Sequence, residues 1–171
     1  MDCQNSCKHD CREIAPCEEK RFICCKCDRE EKEQCEKKGI KNIEEGMCDI
    51  RKGLNDIKFK NKCECACDIK SGVCSIEKGT QDIEKGLCSI EKCLKDICCD
   101  NKIQEGIFLV KNGLKDTLEA LRDFRNCNIG EGTKKVEKGL SLIEKGLCTI
   151  KNGFKEQEKK DGCCFHCDCE V

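Results

Sequence analysis

The cysteines of this chain are the residues whose chemistry stands out. There are 23 of them among 171 residues, and a cysteine thiolate can either form disulfide bonds or bind soft metal ions. The count is odd, so at least one cysteine cannot pair within a single chain. Most lie near the two ends of the sequence or between predicted helices. We expect these to be cross-linking residues: Cys3, Cys7, Cys11, Cys17, Cys24, Cys25, Cys27, Cys63, Cys65, Cys67, Cys98, Cys99, Cys127, Cys163, Cys164, Cys167 and Cys169.

Three of these sites are adjacent pairs: Cys24-Cys25, Cys98-Cys99 and Cys163-Cys164. Neighbouring cysteines bond to each other only with strain. Each pair is therefore expected to tie two different partners.

Two clusters also suggest an alternative, a thiolate metal site. Residues 63–67 read CECAC and residues 163–169 read CCFHCDC, which resemble the ligand clusters of metallothioneins. Neither has the two separated ligand pairs of a structural zinc site. The alternative function is an intracellular protein that binds or stores Zn or Cu(I). Its ligands would be Cys63, Cys65, Cys67, Cys163, Cys164, His166, Cys167 and Cys169.

Catalysis has weaker support in the sequence. A second alternative, a thiol redox protein, rests on the C-x-x-C pair Cys164 and Cys167, which lacks the β-α-β context of that motif. The only histidines are His9 and His166, and no hydrolase, phosphate-loop or zinc-protease motif is present. We therefore expect a protein that is not an enzyme and that needs no cofactor.

Helices must position these thiols. Apolar residues alternate at spacings of three and four in four segments, around a repeated phrase seen in IEKGLCS (83–89) and IEKGLCT (143–149). Such spacing gives a helix one apolar stripe. With heptad letters assigned so that glycine is at g, the stripe occupies a and d. The sequence predicts an all-α fold, an antiparallel four-helix bundle with Cys-rich terminal segments.

The expected boundaries follow from this pattern. A Cys-rich N-terminal segment covers 1–27, the bundle covers 28–160, and a Cys-rich tail covers 161–171. The helices are expected at about 28–60, 68–97, 100–125 and 128–160. The first residue of each expected range is an Asp or Asn, the predicted N-cap: Asp28, Asp68, Asp100 and Asn128.

The glycines of the repeat need a cause, because each costs roughly 1 kcal/mol relative to alanine inside a helix. We expect them to let two helix backbones approach closely, with added dispersion contacts and weak Cα–H···O bonds. The g positions without glycine, Cys93 and Ala120, are also small. The helix-packing glycines are Gly39, Gly46, Gly53, Gly72, Gly79, Gly86, Gly106, Gly113, Gly132, Gly139, Gly146 and Gly153.

Four further cysteines fall at b, on the outer side of the predicted helices: Cys48, Cys74, Cys88 and Cys148. A bundle that stores copper(I) would direct its thiols inward, where the metal can be enclosed. Outward thiols are instead accessible to another molecule. Their placement favours cross-linking.

Composition excludes several partners. Lys and Arg number 33 against 34 Asp and Glu, so the chain lacks the basic excess of a nucleic-acid binder. No apolar run reaches the length of a membrane span. The first residues, MDCQNSCKHDCRE, lack the apolar core of a signal peptide. We expect synthesis in the cytoplasm without a signal peptide, no membrane contact, and self-association favoured by a net charge of −1.

In size, cysteine content and Lys/Glu character the whole chain resembles the small cysteine-rich exosporium morphogenetic proteins of clostridial spores. The resemblance rests on composition and carries no catalytic residues. It implies a structural protein of the spore surface, in the exosporium or coat, that self-assembles and is cross-linked by intermolecular disulfides. Its expected partners are itself, as a homo-oligomer or lattice, and other Cys-rich surface-layer proteins. Oxidation after lysis of the mother cell would reconcile the cysteines with the missing signal peptide.

Overall fold

A computed structural model describes residues 25–60, 66–94 and 101–163, and these ranges contain four long helices. Helix α1 spans Cys25–Lys60, α2 spans Ala66–Cys93, α3 spans Asn101–Arg125, and α4 spans Ile129–Cys163. Within these ranges no β-strand is formed. The predicted all-α bundle of four helices is confirmed.

Two predicted caps are wrong. Helix α1 begins at Cys25 and α2 begins at Ala66, so Asp28 and Asp68 lie inside the first turn instead of before it. Residues 17–27, before Asp28, and residues 54–67, before Asp68, contain no glycine or proline that would stop a helix. Both helices can therefore start before the aspartate. The last helix does begin where expected, since Asn128 directly precedes Ile129 and its carbonyl accepts a hydrogen bond from Gly132 N–H at 3.0 Å.

Helices α1 and α3 end at Lys60 and Arg125, as expected, and the remaining bounds differ from expectation by one to four residues. Helix α2 stops at Cys93, four residues early, because Leu94 N–H bonds the carbonyl of Glu91, three residues back. Helix α4 continues three residues past its expected end, to Cys163. The predicted cap Asp100 lies outside the described residues.

The described helices from Cys35 onward belong to one compact unit in which consecutive helices run antiparallel. Helices α1 and α2 meet at Gly46 and Gly79, and α3 and α4 meet at Gly113 and Gly139. Ion pairs show the remaining neighbours. Helices α2 and α3 are joined by Glu91–Lys111 and Glu77–Arg125, and α1 and α4 by Glu44–Lys151, Arg51–Glu144 and Lys58–Glu137. Each helix therefore has two antiparallel neighbours, as in an up-down-up-down bundle.

The interior is made mostly of aliphatic side chains, with the rings of Phe124 and Phe154 among them. Nearly all d positions are held by isoleucine or valine, and Ile43, Ile83, Ile103 and Ile143 have no exposed surface. Three polar residues are buried with them: Thr80, Thr117 and Gln157. Both threonines donate hydrogen bonds to carbonyls of their own helices, Thr80 to Glu77 at 2.7 Å and Thr117 to Gly113 at 2.9 Å. Burial of this stripe drives the packing of the four helices.

Glycines line the two closest seams of the bundle. All twelve glycines of the repeat are buried, and no described glycine has a positive φ, so their role is the missing β-carbon and not a special backbone conformation. Ten of them form five reciprocal pairs, in which a β-carbon on either residue would overlap the carbonyl oxygen of the other. The pairs are Gly39–Gly86, Gly46–Gly79, Gly53–Gly72, Gly106–Gly146 and Gly113–Gly139.

The last two glycines of the repeat face side chains instead. A β-carbon on Gly132 would meet the ring of Phe124, and one on Gly153 would lie 2.5 Å from Cγ1 of Ile103. The bundle is thus two tight hairpins, α1–α2 and α3–α4, whose apolar faces meet. In the ranges that the structure describes, we find no helix with the length and apolar character to cross a membrane.

Candidate functional site

The four cysteines at b positions form an outer set of thiols. Cys48 lies on α1, Cys74 and Cys88 lie on α2, and Cys148 lies on α4, and all four are free and exposed. Each directly follows a residue of the apolar stripe, and one residue further along a helix turns the side chain by about 100°. The heptad pattern therefore fixes their outward direction.

Helix α3 carries a different residue at the equivalent position. The phrase Ile43-Glu-Glu-Gly46-Met-Cys48 of α1 corresponds to Ile103-Gln-Glu-Gly106-Ile-Phe108 of α3. Phe108 is 63% exposed, so α3 presents a large apolar side chain where the other helices present a thiol. At this heptad position, exposed thiols therefore lie on the outer sides of α1, α2 and α4, and α3 presents Phe108 instead.

Cys127 lies in the turn between α3 and α4 and adopts the left-handed conformation, with φ of 59°. Its N–H bonds the carbonyl of Phe124 at 3.1 Å, and Asn128 N–H bonds that of Asp123 at 2.8 Å. These two bonds define a Schellman motif, whose left-handed position is usually glycine. A cysteine at this position costs about 1–2 kcal/mol in backbone conformation, and its thiol is free and exposed.

Cys35 and Cys93 form a disulfide that the sequence analysis did not predict. The bond joins α1 to α2, with the two Cα atoms 6.2 Å apart. The two sulfur atoms lie 2.9 and 3.1 Å from the carbonyl oxygen of Ser89. A signal was present: Cys93 lies one heptad after Gly86, whose partner is Gly39, so the same seam brings Cys93 to the level of the turn that contains Cys35.

The structure locates only some of the predicted cross-linking cysteines. Cys127 is described in full, whereas Cys25, Cys27, Cys67 and Cys163 are placed only as backbone positions of helices. The others lie outside the described residues: Cys3, Cys7, Cys11, Cys17, Cys24, Cys63, Cys65, Cys98, Cys99, Cys164, Cys167 and Cys169. Because neighbouring helices alternate in direction, the start of α3 and the ends of α2 and α4 lie at one end of the bundle.

The alternative metal ligands fall in the same regions. Of that set, Cys67 and Cys163 are backbone positions of α2 and α4, and the remaining six residues lie outside the described ranges. Among the residues that the structure does describe, no three His, Cys, Asp or Glu side chains are grouped so that they could hold a metal ion. The metal-binding alternative stays a prediction of the sequence.

Opposite charges flank the two glycine seams. Lys78 pairs with Asp49 across α1–α2, and Lys135 pairs with Asp123 at 2.7 Å across α3–α4. The hydrogen bond from each lysine to its aspartate is the main reason that the pKa values of Lys78 and Lys135 are raised. A hydrogen bond from Lys85 at 2.9 Å, followed by its charge and that of Lys78, lowers the pKa of Asp82. Lys78, Lys135 and Asp82 therefore keep their charges throughout the neutral pH range.

A groove of about 610 Å³ lies between α2 and α3. Cys88 and Lys115 are among the residues that line it, together with the buried residues Leu87 and Leu114 and the partly exposed Leu118. The Cys88 thiol therefore lies beside a basic side chain and an apolar surface.

Comparison of the chain with family models, curated proteins and solved structures finds no match.

Proposed function

We propose that this chain is a structural protein that assembles with copies of itself through intermolecular disulfide bonds. The observation that carries the proposal is the placement of its free thiols. All five free cysteines whose side chains the structure describes are exposed, and they lie on three helices and one turn. None of the described core residues is a cysteine.

Exposed thiols react with disulfides or oxidised thiols that diffuse to them, and the thiolate is the attacking species. Thiols directed away from a core meet another molecule more readily than one another. The left-handed conformation of Cys127 adds support, since a residue held in a conformation of this cost suggests a function for its side chain.

The surface charge also favours association. The net charge is −1, with 33 basic and 34 acidic residues, so little long-range repulsion keeps two copies apart. Many charges are already matched within the molecule by ion pairs between helices. Packing such molecules side by side in a layer would therefore cause little electrostatic repulsion between them.

The proposed location is the outer layer of a spore, the exosporium or coat. It follows from the resemblance in size, cysteine content and Lys/Glu character to the exosporium morphogenetic proteins. In that setting its thiols are oxidised once the mother cell lyses. Its partners there are further copies and other Cys-rich surface-layer proteins.

The test is to analyse the native material by electrophoresis with and without reductant, after alkylation of free thiols. The proposal expects high-mass species that reductant converts to the monomer. Metal analysis of protein purified under reducing conditions provides the second readout. A monomer without intermolecular disulfides that carries stoichiometric Zn or Cu would reject the proposal in favour of metal binding.

A further inference from the structure

The outer face formed by α1 and α4 carries two of the free exposed thiols, Cys48 and Cys148. Both occupy the b position of the same repeated phrase. Two ion pairs cross between the helices on either side of these thiols: Glu44–Lys151, at 2.5 Å, and Arg51–Glu144.

These ion pairs fix the relative height of the two cysteines. Cys48 follows Glu44 by four residues, and Cys148 precedes Lys151 by three. Because α1 and α4 are antiparallel, both steps run in the same direction along the face. The two cysteines therefore differ in height by about one residue, or about 1.5 Å. Residues three or four apart share one side of a helix, so both thiols border the same line of ion pairs.

The other exposed thiols on helices have no such counterpart. Cys88 lies across the α2–α3 groove from Lys115. The ion pair Glu77–Arg125 puts Cys74, three residues before Glu77, at the height of the α3–α4 turn, so the thiol nearest to it in height, that of Cys127, is not on a helix. Of the described helix pairs, α1–α4 is the one that presents two thiols at one height.

We propose that the α1–α4 face is a contact between two copies of this chain, closed by two disulfide bonds. A twofold axis through the centre of the face can run along the helices or across them. With the axis along the helices, each Cys48 faces Cys148 of the second copy. With the axis across them, Cys48 faces Cys48 and Cys148 faces Cys148. Both arrangements place a thiol opposite each thiol, because the two cysteines share one height. This inference rests on the proposed cross-linking function and names one of its contacts.

The charges on this face suit a second copy. Most of the acidic and basic residues beside the thiols are already paired, across the helices and within α1, where the Lys41 ammonium and the Glu45 carboxylate lie 3.7 Å apart, whereas Lys52 and Lys145 form no ion pair with another described residue. Of the large exposed apolar side chains of the described residues, Phe108 and Leu118 lie on α3, and Phe59 lies eleven residues beyond Cys48, near the end of α1. The two disulfide bonds, and not the burial of apolar surface, therefore hold the two copies together. Reduction should dissociate the dimer into monomers.

The bonds form by exchange with a low-molecular-weight disulfide. The Cys148 thiolate attacks that disulfide, forms a mixed disulfide and releases one small thiolate. The facing cysteine of the second copy then attacks the protein sulfur and expels the second small thiol. Two protein thiols are oxidised and one small disulfide is reduced to two thiols. Once one bond exists, the second forms at an effective concentration in the millimolar range.

The test uses the full chain, prepared as a mixture of unlabelled and nitrogen-15-labelled protein and oxidised briefly with glutathione disulfide. Tryptic peptides NIEEGMCDIR (42–51) and GLCTIK (146–151) carry Cys48 and Cys148 separately. Mass spectrometry then counts linked peptides of mixed isotope, which arise only between copies. We expect links within the Cys48 and Cys148 set to form about ten-fold more often than links from Cys74 or Cys88 to any cysteine.

Two variants complete the test. In a full-length background in which serine replaces the cysteines of residues 1–27 and 161–171, Cys48→Ser with Cys148→Ser should slow the first appearance of dimer about ten-fold, whereas Cys74→Ser with Cys88→Ser should leave it within about two-fold. Equal links at all four sites, or equal rates for the two variants, would overturn the α1–α4 contact. If the parent still polymerises in that case, the cross-linking function stands without this contact. If the parent stays monomeric, both fail.

Discussion

Gly46 and Gly79 lie so close that the carbonyl oxygen of each occupies the place where a β-carbon of the other would be. The side chain of Ile83 packs over Gly46, and that of Ile50 packs over Gly79. A β-carbon at either position would collide with backbone as well as side chain. Close backbone contact is therefore a property of the α1–α2 seam, and four other glycine pairs repeat it.

Gly79→Ala should destabilise the bundle, although alanine is the better helix former. The new methyl group meets the Gly46 carbonyl, which cannot move without its helix, and overpacking of this kind costs about 1–3 kcal/mol. The measurement is the free energy of unfolding from denaturant titration.

Gly130→Ala is the matched control, because nothing lies within 4 Å of a β-carbon at that position of α4. It should be neutral or stabilise by up to about 1 kcal/mol. Equal effects of the two substitutions would show that the glycine pairs are not close contacts in solution.

Much of the architecture could be predicted from the sequence because one period encodes it. A seven-residue repeat sets the helical stripe, the glycine seam and the outer position of Cys48 or Cys148 together. The helix starts were less predictable, since an aspartate such as Asp28 is favourable both before a helix and within its first turn. The contacts between helices were also less predictable. The Cys35–Cys93 disulfide and the alignment of Cys48 with Cys148 depend on how far one helix is shifted along the other, and the apolar stripe of a single helix does not specify that shift.

The Cys35–Cys93 disulfide should strengthen the bundle without being needed for its fold. It closes a separation of 58 residues, and cross-links over loops of this size stabilise by about 2–4 kcal/mol. We expect Cys35→Ser with Cys93→Ser to lower the free energy of unfolding by that amount and to leave the helical circular dichroism spectrum unchanged.

Full reduction with a chelator present should likewise preserve helicity, because the apolar stripe is buried independently of sulfur. Loss of the helical spectrum under those conditions would mean that disulfides or metal hold the fold, and would strengthen the metal-binding alternative.

Cys127→Gly should stabilise the α3–α4 turn. Glycine adopts φ near 59° without the steric cost paid by a β-carbon, so the free energy of unfolding should rise by about 1 kcal/mol under reducing conditions. Cys127→Ser removes the same thiol and keeps the β-carbon, so it should leave stability nearly unchanged. A Cys127→Gly protein no more stable than Cys127→Ser would contradict the left-handed conformation of this residue.

The central claim is that thiols outside the core link copies of the chain, with the terminal segments extending the assembly. It is tested most directly by oxidising two full-length proteins with glutathione disulfide and measuring their mass distributions. One is the parent, and in the other serine replaces the cysteines of the terminal segments: Cys3, Cys7, Cys11, Cys17, Cys24, Cys25, Cys27, Cys163, Cys164, Cys167 and Cys169. We predict reducible high-mass species from the parent and mainly monomers and dimers from the variant. A parent chain that stays monomeric after complete oxidation would contradict the account.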